Sequence, residues 1–404
     1  MSDQKKVLIT EGRYQPAEAM LQVHRKSSEL CIGIPKETTL QENRVALVPA
    51  SVATLVAHGH RVVMEAGAGE NTSYSDHTYS EAGAEIAYDP RKVYQSDIVL
   101  KIAPPTLDEI DLLTHNQVLI SPIHLPLVSE TYLRRLMAKK CIALAMEYIK
   151  DEHGSFPVVR IMSEMAGRSA MLIAGELLSR SYHGKGILLG GVSGVPPAKV
   201  VIIGAGVVAE FAVRVAIGLG AEVRVFDNNV YKLMRLQNRV GARLNTSTLN
   251  PFQLEKELLN AEVVIGAIHS KTGRSPMLVT EEVVSRMKEG AVIIDVSIDQ
   301  GGCFATSEVT THDNPTFQRH GVTHYCVPNI ASRIPRTASI AISNILTPIL
   351  THAGTVGSLE NLIRNEAGIR NGVYVYKGKL TNEYLGDRFQ MNATNLDLLM
   401  SSSY

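Results

Sequence analysis

Short unbroken apolar runs alternate along most of this chain with longer stretches in which apolar positions recur at helical spacing. Runs at Leu30–Ile34, Arg61–Glu65, Ile98–Ile102, Val118–Ser121 and Cys141–Ala145 predict strands, and the segments near Ala50–Ala57, Ser75–Glu81, Thr106–Leu113 and Ser129–Ala138 predict helices between them. Runs without polar alternation suit parallel strands covered on both faces, so the pattern predicts an α/β unit with a mostly parallel sheet. Ser163 is placed to cap a long helix through Arg180, with Glu164 in its first turn and Gly184 past its end. A second alternation follows: strands at Val200–Ile203, Glu222–Phe226, Val263–Ile268 and Ala291–Val296, a last one near Tyr325–Val327, and helices at Val207–Leu219, Val230–Val240, Phe252–Leu259 and after Thr280. A helical pattern at Ala338–Ala353 reads as a second connector back to the first unit, and residues 373–380 as a hairpin turning at Lys377-Gly378. Residues 1–28 read as a polar appendage with a helix from Pro16 through Val23. The division expected is 1–28 as an extension, 29–160 with 337–404 as one domain, and 161–336 as the other.

The strand Val200–Ile203 runs into Gly204-Ala205-Gly206-Val207-Val208-Ala209, and each part answers a demand of a bound dinucleotide. Gly204 permits a tight turn and Gly206 a close approach of backbone to pyrophosphate. The free N–H groups of the helix beginning at Val207 and Val208 face the anion. The second strand ends at Asp227, where a carboxylate accepts from ribose hydroxyls and repels a 2′-phosphate, which favours NAD over NADP. Glu210 falls in the first helical turn and is expected to point away.

With 404 residues the chain exceeds one comfortable core, consistent with two domains. Basic and acidic residues number 40 each, so no net field gathers nucleic acid or anionic lipid, and neither is an expected partner. The four cysteines, Cys31, Cys141, Cys303 and Cys326, are scattered without a Cys-x-x-Cys pair, which argues against a metal site or disulfide framework and fits a reduced cytoplasm. No apolar run reaches membrane-spanning length and the opening residues lack a secretion-signal core.

Ligands of parallel α/β sheets sit beyond the carboxyl ends of strands, which singles out Arg44, Lys101, His124 and Asp299. Each has an ordinary alternative: Arg44 pairing with Glu37 or Glu42, Lys101 snorkelling from a strand end, His124 solvated between Pro122 and Pro126, Asp299 capping the loop before Gly301. Together they form an organised set. Arginine and lysine supply a fork and a point charge for a carboxylate, histidine exchanges protons near neutrality, and aspartate binds water or ammonium. Beside a nicotinamide, that set describes an amino-acid or hydroxy-acid dehydrogenase.

Ile-Gly-Ile-Pro-Lys-Glu with Gln-Glu-Asn-Arg-Val-Ala-Leu-Val-Pro, Met-Ser-Glu-Met-Ala-Gly-Arg at 162–168, Leu-Leu-Gly-Gly-Val-Ser-Gly-Val at 188–195, Ile-Asp-Gln-Gly-Gly-Cys at 298–303, Thr-Thr-His-Asp at 310–313 and Pro-Arg-Thr-Ala-Ser at 335–339 resemble, in order, the alanine dehydrogenase family. The resemblance spans about residues 31 to 380. It implies an α/β fold of two Rossmann-like domains joined by long connecting helices, NAD as cofactor, and reversible oxidative deamination of L-alanine to pyruvate and ammonia by a homo-oligomer, usually a hexamer. It places carboxylate binding on Arg44 and Lys101, acid–base work on His124 and the catalytic acid on Asp299. Ser163, Asp227 and Asn329 match nucleotide-contacting positions, with Lys232 near the adenosine. Departures border the same pocket: Pro122 where an aromatic is usual, Ile330 for a methionine beside the nicotinamide, and Ala103-Pro104 for a Lys-Glu pair. Two other readings are a dehydrogenase of the lysine (saccharopine) type and a non-catalytic, transhydrogenase-like nucleotide module.

Overall fold

The computed structural model describes residues 28–401 apart from 40, 126–127, 183 and 271–272; the expected extension over residues 1–27, its helix from Pro16, and Pro126 lie outside the described residues. In chain order the strands are β1 (Cys31–Ile34), β2 (Arg61–Glu65), β3 (Glu85–Ala87), β4 (Ile98–Leu100), β5 (Val118–Ser121), β6 (Ile142–Ala145), β7 (Lys199–Ile203), β8 (Glu222–Phe226), β9 (Asn245–Ser247), β10 (Val263–Gly266), β11 (Val292–Asp295), β12 (Thr316–Arg319), β13 (Val322–Tyr325), β14 (Val373–Tyr376) and β15 (Lys379–Leu380). They form two sheets, ordered β15-β14-β6-β5-β4-β1-β2-β3 and β12-β13-β11-β10-β7-β8-β9. The fold is α/β with two mostly parallel sheets. Antiparallel pairing is confined to one edge of each, at β14 with β6 and β15 and at β12 with β13.

The unbroken apolar runs follow from burial on both faces. In the first sheet Ile98, Leu100, Ile120, Ile142 and Leu144 face one core, while Val99, Leu119 and Ala143 face another. In the second, Val200, Ile202, Ile265 and Ile294 face one core and Val201, Ile203, Val264 and Ile293 the opposite one. Because successive side chains alternate sides, every position must be apolar.

Two long helices link the sheets. The first, Pro157–Leu178, starts earlier than the expected cap at Ser163. Phe156 stands at the cap position and Pro157 at the first helical position, where proline's fixed φ and missing N–H cost nothing, so Ser163 lies within the helix. The first connector packs tightly on the helix Val207–Gly218: a side chain at Gly167 would collide with the carbonyl of Val208. The second connector, Pro335–Thr355, carries hydroxyls that hold the loop after β1. Ser339 and Ser343 accept from the N–H groups of Val45 and Val48 at 2.9 Å each, and Ser332, just before this helix, accepts from Asn43 at 2.9 Å.

The hairpin at Lys377-Gly378 is present, with φ of 47° and 84° at the two turn residues. The hairpin of β12 and β13, turning at His320-Gly321 with φ of 53° and 74°, is additional, and its second strand ends at Tyr325 where the sequence pattern placed a strand start. The short strand β3 is additional too. Among the described residues, no helix is long and apolar enough to cross a membrane, and no group of metal-ligating side chains gathers.

Candidate active site

In the first sheet the strand order reverses direction between β1 and β4, and in the second between β7 and β10. Loops leaving such switch points diverge and open a crevice beyond the carboxyl ends of the strands. Arg44 follows β1, Lys101 directly follows β4, His124 follows the neighbouring β5, and Asp299 follows β11. Gly204 leaves β7 with φ 117°, and a Cβ there would strike the carbonyl of Ala267. Gly206 heads the next helix, and a Cβ on it would meet nothing within 4 Å. The first glycine is therefore demanded by the fold, whereas the second borders open space at the N–H groups of Val207 and Val208, as a pyrophosphate cradle requires. Asp227 is buried, its Oδ2 accepting from Ala205 N–H at 2.8 Å and its Oδ1 from Asn229 N–H at 2.7 Å, with Lys232 Nζ 4.0 Å away. The carboxylate braces the glycine turn and keeps lone pairs for further donors. Glu210 turns away to Arg214 and Arg239, at 3.1 and 3.2 Å.

Arg44 is buried, with Nε 2.7 Å from Glu42 Oε1 and Nη2 2.6 Å from Glu42 Oε2, while among the described residues Nη1 reaches only the Met162 sulfur at 3.0 Å. Burial alone would raise the Glu42 carboxyl, but the charge and hydrogen bonds of Arg44 overcome it and hold the acid below its ordinary range. Glu42 also accepts from Asn329 Nδ2 at 2.6 Å, and Asn329, left-handed at φ 54°, donates its N–H to Asp299 Oδ1 at 3.0 Å. A hydrogen-bonded chain thus runs Arg44–Glu42–Asn329–Asp299 across the crevice.

Lys101 is 1% exposed, its Nζ 2.9 Å from both Glu37 Oε2 and Glu109 Oε1. Burial works against its charge, and the two carboxylates more than restore it. Burial pushes Glu37 up in spite of Lys101; Glu109, which also accepts from the Thr106 N–H, ends below its ordinary value.

His124 stands left-handed at φ 48°. Glu147 Oε1 accepts from Ile123 N–H at 2.8 Å and from His124 N–H at 3.3 Å. Burial pushes the Asp299 carboxyl up, and the Asn329 N–H and the charges of His124 and Arg44 pull against that rise. Asp299 therefore feels the charges of both His124 and Arg44, and the chain through Glu42 and Asn329 links it to the guanidinium. Ser163 is partly exposed on the first connector, and Ile330 is buried in the core of the second sheet.

Sequence reasoning singled out the cations and missed what holds them. Glu42 and Glu37 entered only as alternative partners of Arg44; Glu109, Glu147 and Asp295 did not enter at all. Two of the three were within reach of the rule that selected His124, because Glu147 stands just past β6 and Asp295 closes β11.

The fold and crevice define a two-sheet oxidoreductase of the Rossmann type. The N-terminal domain of the alanine dehydrogenase/PNT family matches residues 33–166, and its C-terminal domain residues 170–383. An alanine dehydrogenase 2 of Staphylococcus aureus (strain USA300) is 39% identical over 367 residues, covering 91% of this chain and 98% of the relative. A solved L-alanine dehydrogenase superposes with a TM-score of 0.84 at 36% identity, over 89% of this chain and 99% of that one. A transhydrogenase from Sinorhizobium meliloti shares the fold, with a TM-score of 0.73 at 24% identity over 87% and 98% of the two chains. The chain belongs to the alanine dehydrogenase/PNT family.

Proposed function

We propose that the chain catalyses the NAD-dependent, reversible oxidative deamination of L-alanine to pyruvate and ammonia, as a cytoplasmic homo-oligomer, hexameric as the family resemblance suggests. The observation carrying this reading is the hydrogen-bonded chain Arg44–Glu42–Asn329–Asp299, which ties the arginine after β1 to the acid after β11, in a molecule whose Gly206 turn is open. Residues 29–160 with 337–404 form the substrate unit and 161–336 the nucleotide unit. The N–H groups at Gly206, Val207 and Val208 would hold the pyrophosphate and Asp227 the adenosine ribose, with Lys232 alongside. Ser163, Asn329 and Ile330 would border the nicotinamide end. NAD, when bound, supplies the hydride acceptor.

The substrate carboxylate meets two cations that are already paired. Glu42 occupies the Nε–Nη2 edge of Arg44, which leaves Nη1, held only by a weak sulfur acceptor, for the ligand. Lys101 spends two N–H groups on glutamates and keeps a third. Pre-pairing fixes both donors before the ligand arrives, so Cα is oriented without further ordering of side chains. The amine must lose its proton before hydride can leave; His124 accepts it and releases it to solvent, then takes the proton lost as water adds to the iminium, returns it to the carbinolamine nitrogen, and takes the hydroxyl proton as ammonia departs. Asp299 orients the water that enters and the ammonia that forms. Deamination should accelerate as pH rises and the amine is deprotonated; the reverse reaction needs ammonium to lose its proton before attacking the oxo acid.

Initial rates with alanine and NAD, together with NADH oxidation in the presence of ammonia and a panel of oxo acids, test the reading. Turnover centred on pyruvate supports it. A preference for joining lysine to an oxo acid, or nucleotide binding without turnover, overturns it.

A further inference from the structure

The crevice rests on a carboxylate that the proposed chemistry leaves without a task. Glu147 lies in the short 3-10 turn Met146–Tyr148 immediately after β6, beside the loop that leaves β5. Its Oε1 accepts two successive main-chain N–H groups, from Ile123 and His124, while its Oε2 is shielded from solvent and has no hydrogen-bond partner among the described residues. Successive N–H groups ending in a left-handed residue form a concavity that holds an anionic atom. For histidine, with its Cβ, that conformation carries a steric cost, which an acceptor supplied from outside the loop offsets.

We infer that Glu147 is a positioning residue for His124: by gathering the Ile123 and His124 N–H groups on one oxygen it holds the left-handed backbone from which the imidazole projects. Both its contacts go to main chain, so it acts through the histidine and not on the reacting atoms. Burial raises its carboxyl, in keeping with an acid retained at a cost. Had packing been the only requirement, an apolar residue would have filled the place without leaving an oxygen unsatisfied.

The inference rests on the dehydrogenase reading, and the experiment separates the two. Wild type, Glu147→Ala, Glu147→Gln, His124→Ala and the Glu147→Ala/His124→Ala double variant of the full chain are compared. Glu147→Ala should lower kcat for alanine by roughly 10- to 100-fold with KM changed by less than about 3-fold. Glu147→Gln keeps an oxygen acceptor and should stay within about 5-fold of wild type. On the His124→Ala background, losing Glu147 should cost less than about 3-fold more, because a residue that acts through the imidazole has nothing left to position. Additive losses, or a glutamine variant as impaired as the alanine one, overturn the inference. If Glu147→Ala gives no folded protein, the glutamine variant decides by the same kcat criterion. Amide hydrogen exchange supplies a readout that needs no substrate: exchange at Ile123 and His124 should quicken by about 10-fold or more in Glu147→Ala, with the ends of β1 and β4 unchanged. Unchanged exchange there overturns the inference even if alanine proves to be the wrong substrate.

Discussion

The loops that carry His124 and Asp299 leave parallel strands of different sheets, and each is tied by a carboxylate. The resemblance ends there. Asp295 closes the strand from which its own loop departs, is 1% exposed, and uses both oxygens: Oδ1 accepts from Ser297 N–H at 3.0 Å, and Oδ2 from Cys303 N–H at 2.9 Å and Ser307 Oγ at 2.7 Å. The left-handed positions of that loop fall on Gly301 and Gly302, at φ 90° and 77°, where they cost little. The histidine loop borrows its carboxylate from the next strand, uses a single oxygen, and puts the left-handed backbone on the functional residue itself. One loop is self-supporting and turns on glycines that carry no strain; the other is held from outside with its strain on the backbone of the histidine.

Several variants bear on that contrast. The largest effect is expected at the two ends of the proton path: His124→Ala or Asp299→Asn should lower turnover by about 100-fold or more, with NADH affinity largely kept, as read by stopped-flow turnover and fluorescence titration. Normal rates in either variant would remove the chemical half of the comparison. Next comes stability. Asp295→Ala abandons four donors, the Ser297 and Cys303 N–H groups, the Ser307 hydroxyl and the Cys303 thiol, and a buried donor left unpaired costs about 1–3 kcal/mol, so its melting temperature should fall further than that of Glu147→Ala, which abandons two; the reverse order in calorimetry would undo the ranking of the anchors. Gly302→Ala should cost about 1–2 kcal/mol, since its φ of 77° disfavours a side chain and the new Cβ would lie 2.7 Å from Asp295 Oδ2. His124→Gly, by contrast, should be about 1 kcal/mol more stable than His124→Ala, because glycine relieves the left-handed strain. If the alanine form is the more stable, the loop is not strained there.

A pH scan sharpens the same contrast. Burial raises both Glu147 and Asp295, so as pH climbs past about 4 the unfolded acids ionise first and the folded state loses stability until each raised value is passed. Glu42 has the opposite sign: lowered in the fold, it contributes stability above the ordinary carboxylate range that is lost as pH falls through its folded value. Denaturant midpoints of Glu147→Gln should therefore fall less with rising pH than those of wild type, and those of Glu42→Gln should fall less with acidification.

Much of this was legible before any coordinates. Strands apolar on both faces announce themselves as unbroken runs, which is why β1, β5, β7 and β10 were readable, and Lys377-Gly378 supplies the two-residue turn that a hairpin needs. Where the physics leaves a fainter trace, reading faltered. Strand β3 has three residues and starts on a partly exposed glutamate; β12 is polar because it forms a partly exposed edge, and β13, though largely buried, carries Thr323 and His324 among its four residues. Ser163-Glu164 imitates a helix start more convincingly than Phe156-Pro157, so the sequence pattern starts the connector later than the fold does. In the crevice, the cations were visible because lysine beside an apolar run and arginine before a helix are conspicuous. Their partners were not, since Lys101 meets Glu109 only through a helix that folds back over the end of β4.

The order of strands also dictates an order of events on the ribosome. The second sheet is drawn from one continuous stretch and can close its cores while the chain is still emerging. The first cannot: β6 must wait for β14, which is synthesised only after the entire second sheet. Until β14 arrives, Ile142–Ala145 offers an open, apolar edge to any passing strand, and the late, long-range pairing that seals it is of the kind that forms slowly. Loss of the last thirty or so residues would thus endanger not the nucleotide half nearest to them in sequence but the older half of the molecule, made first and finished last.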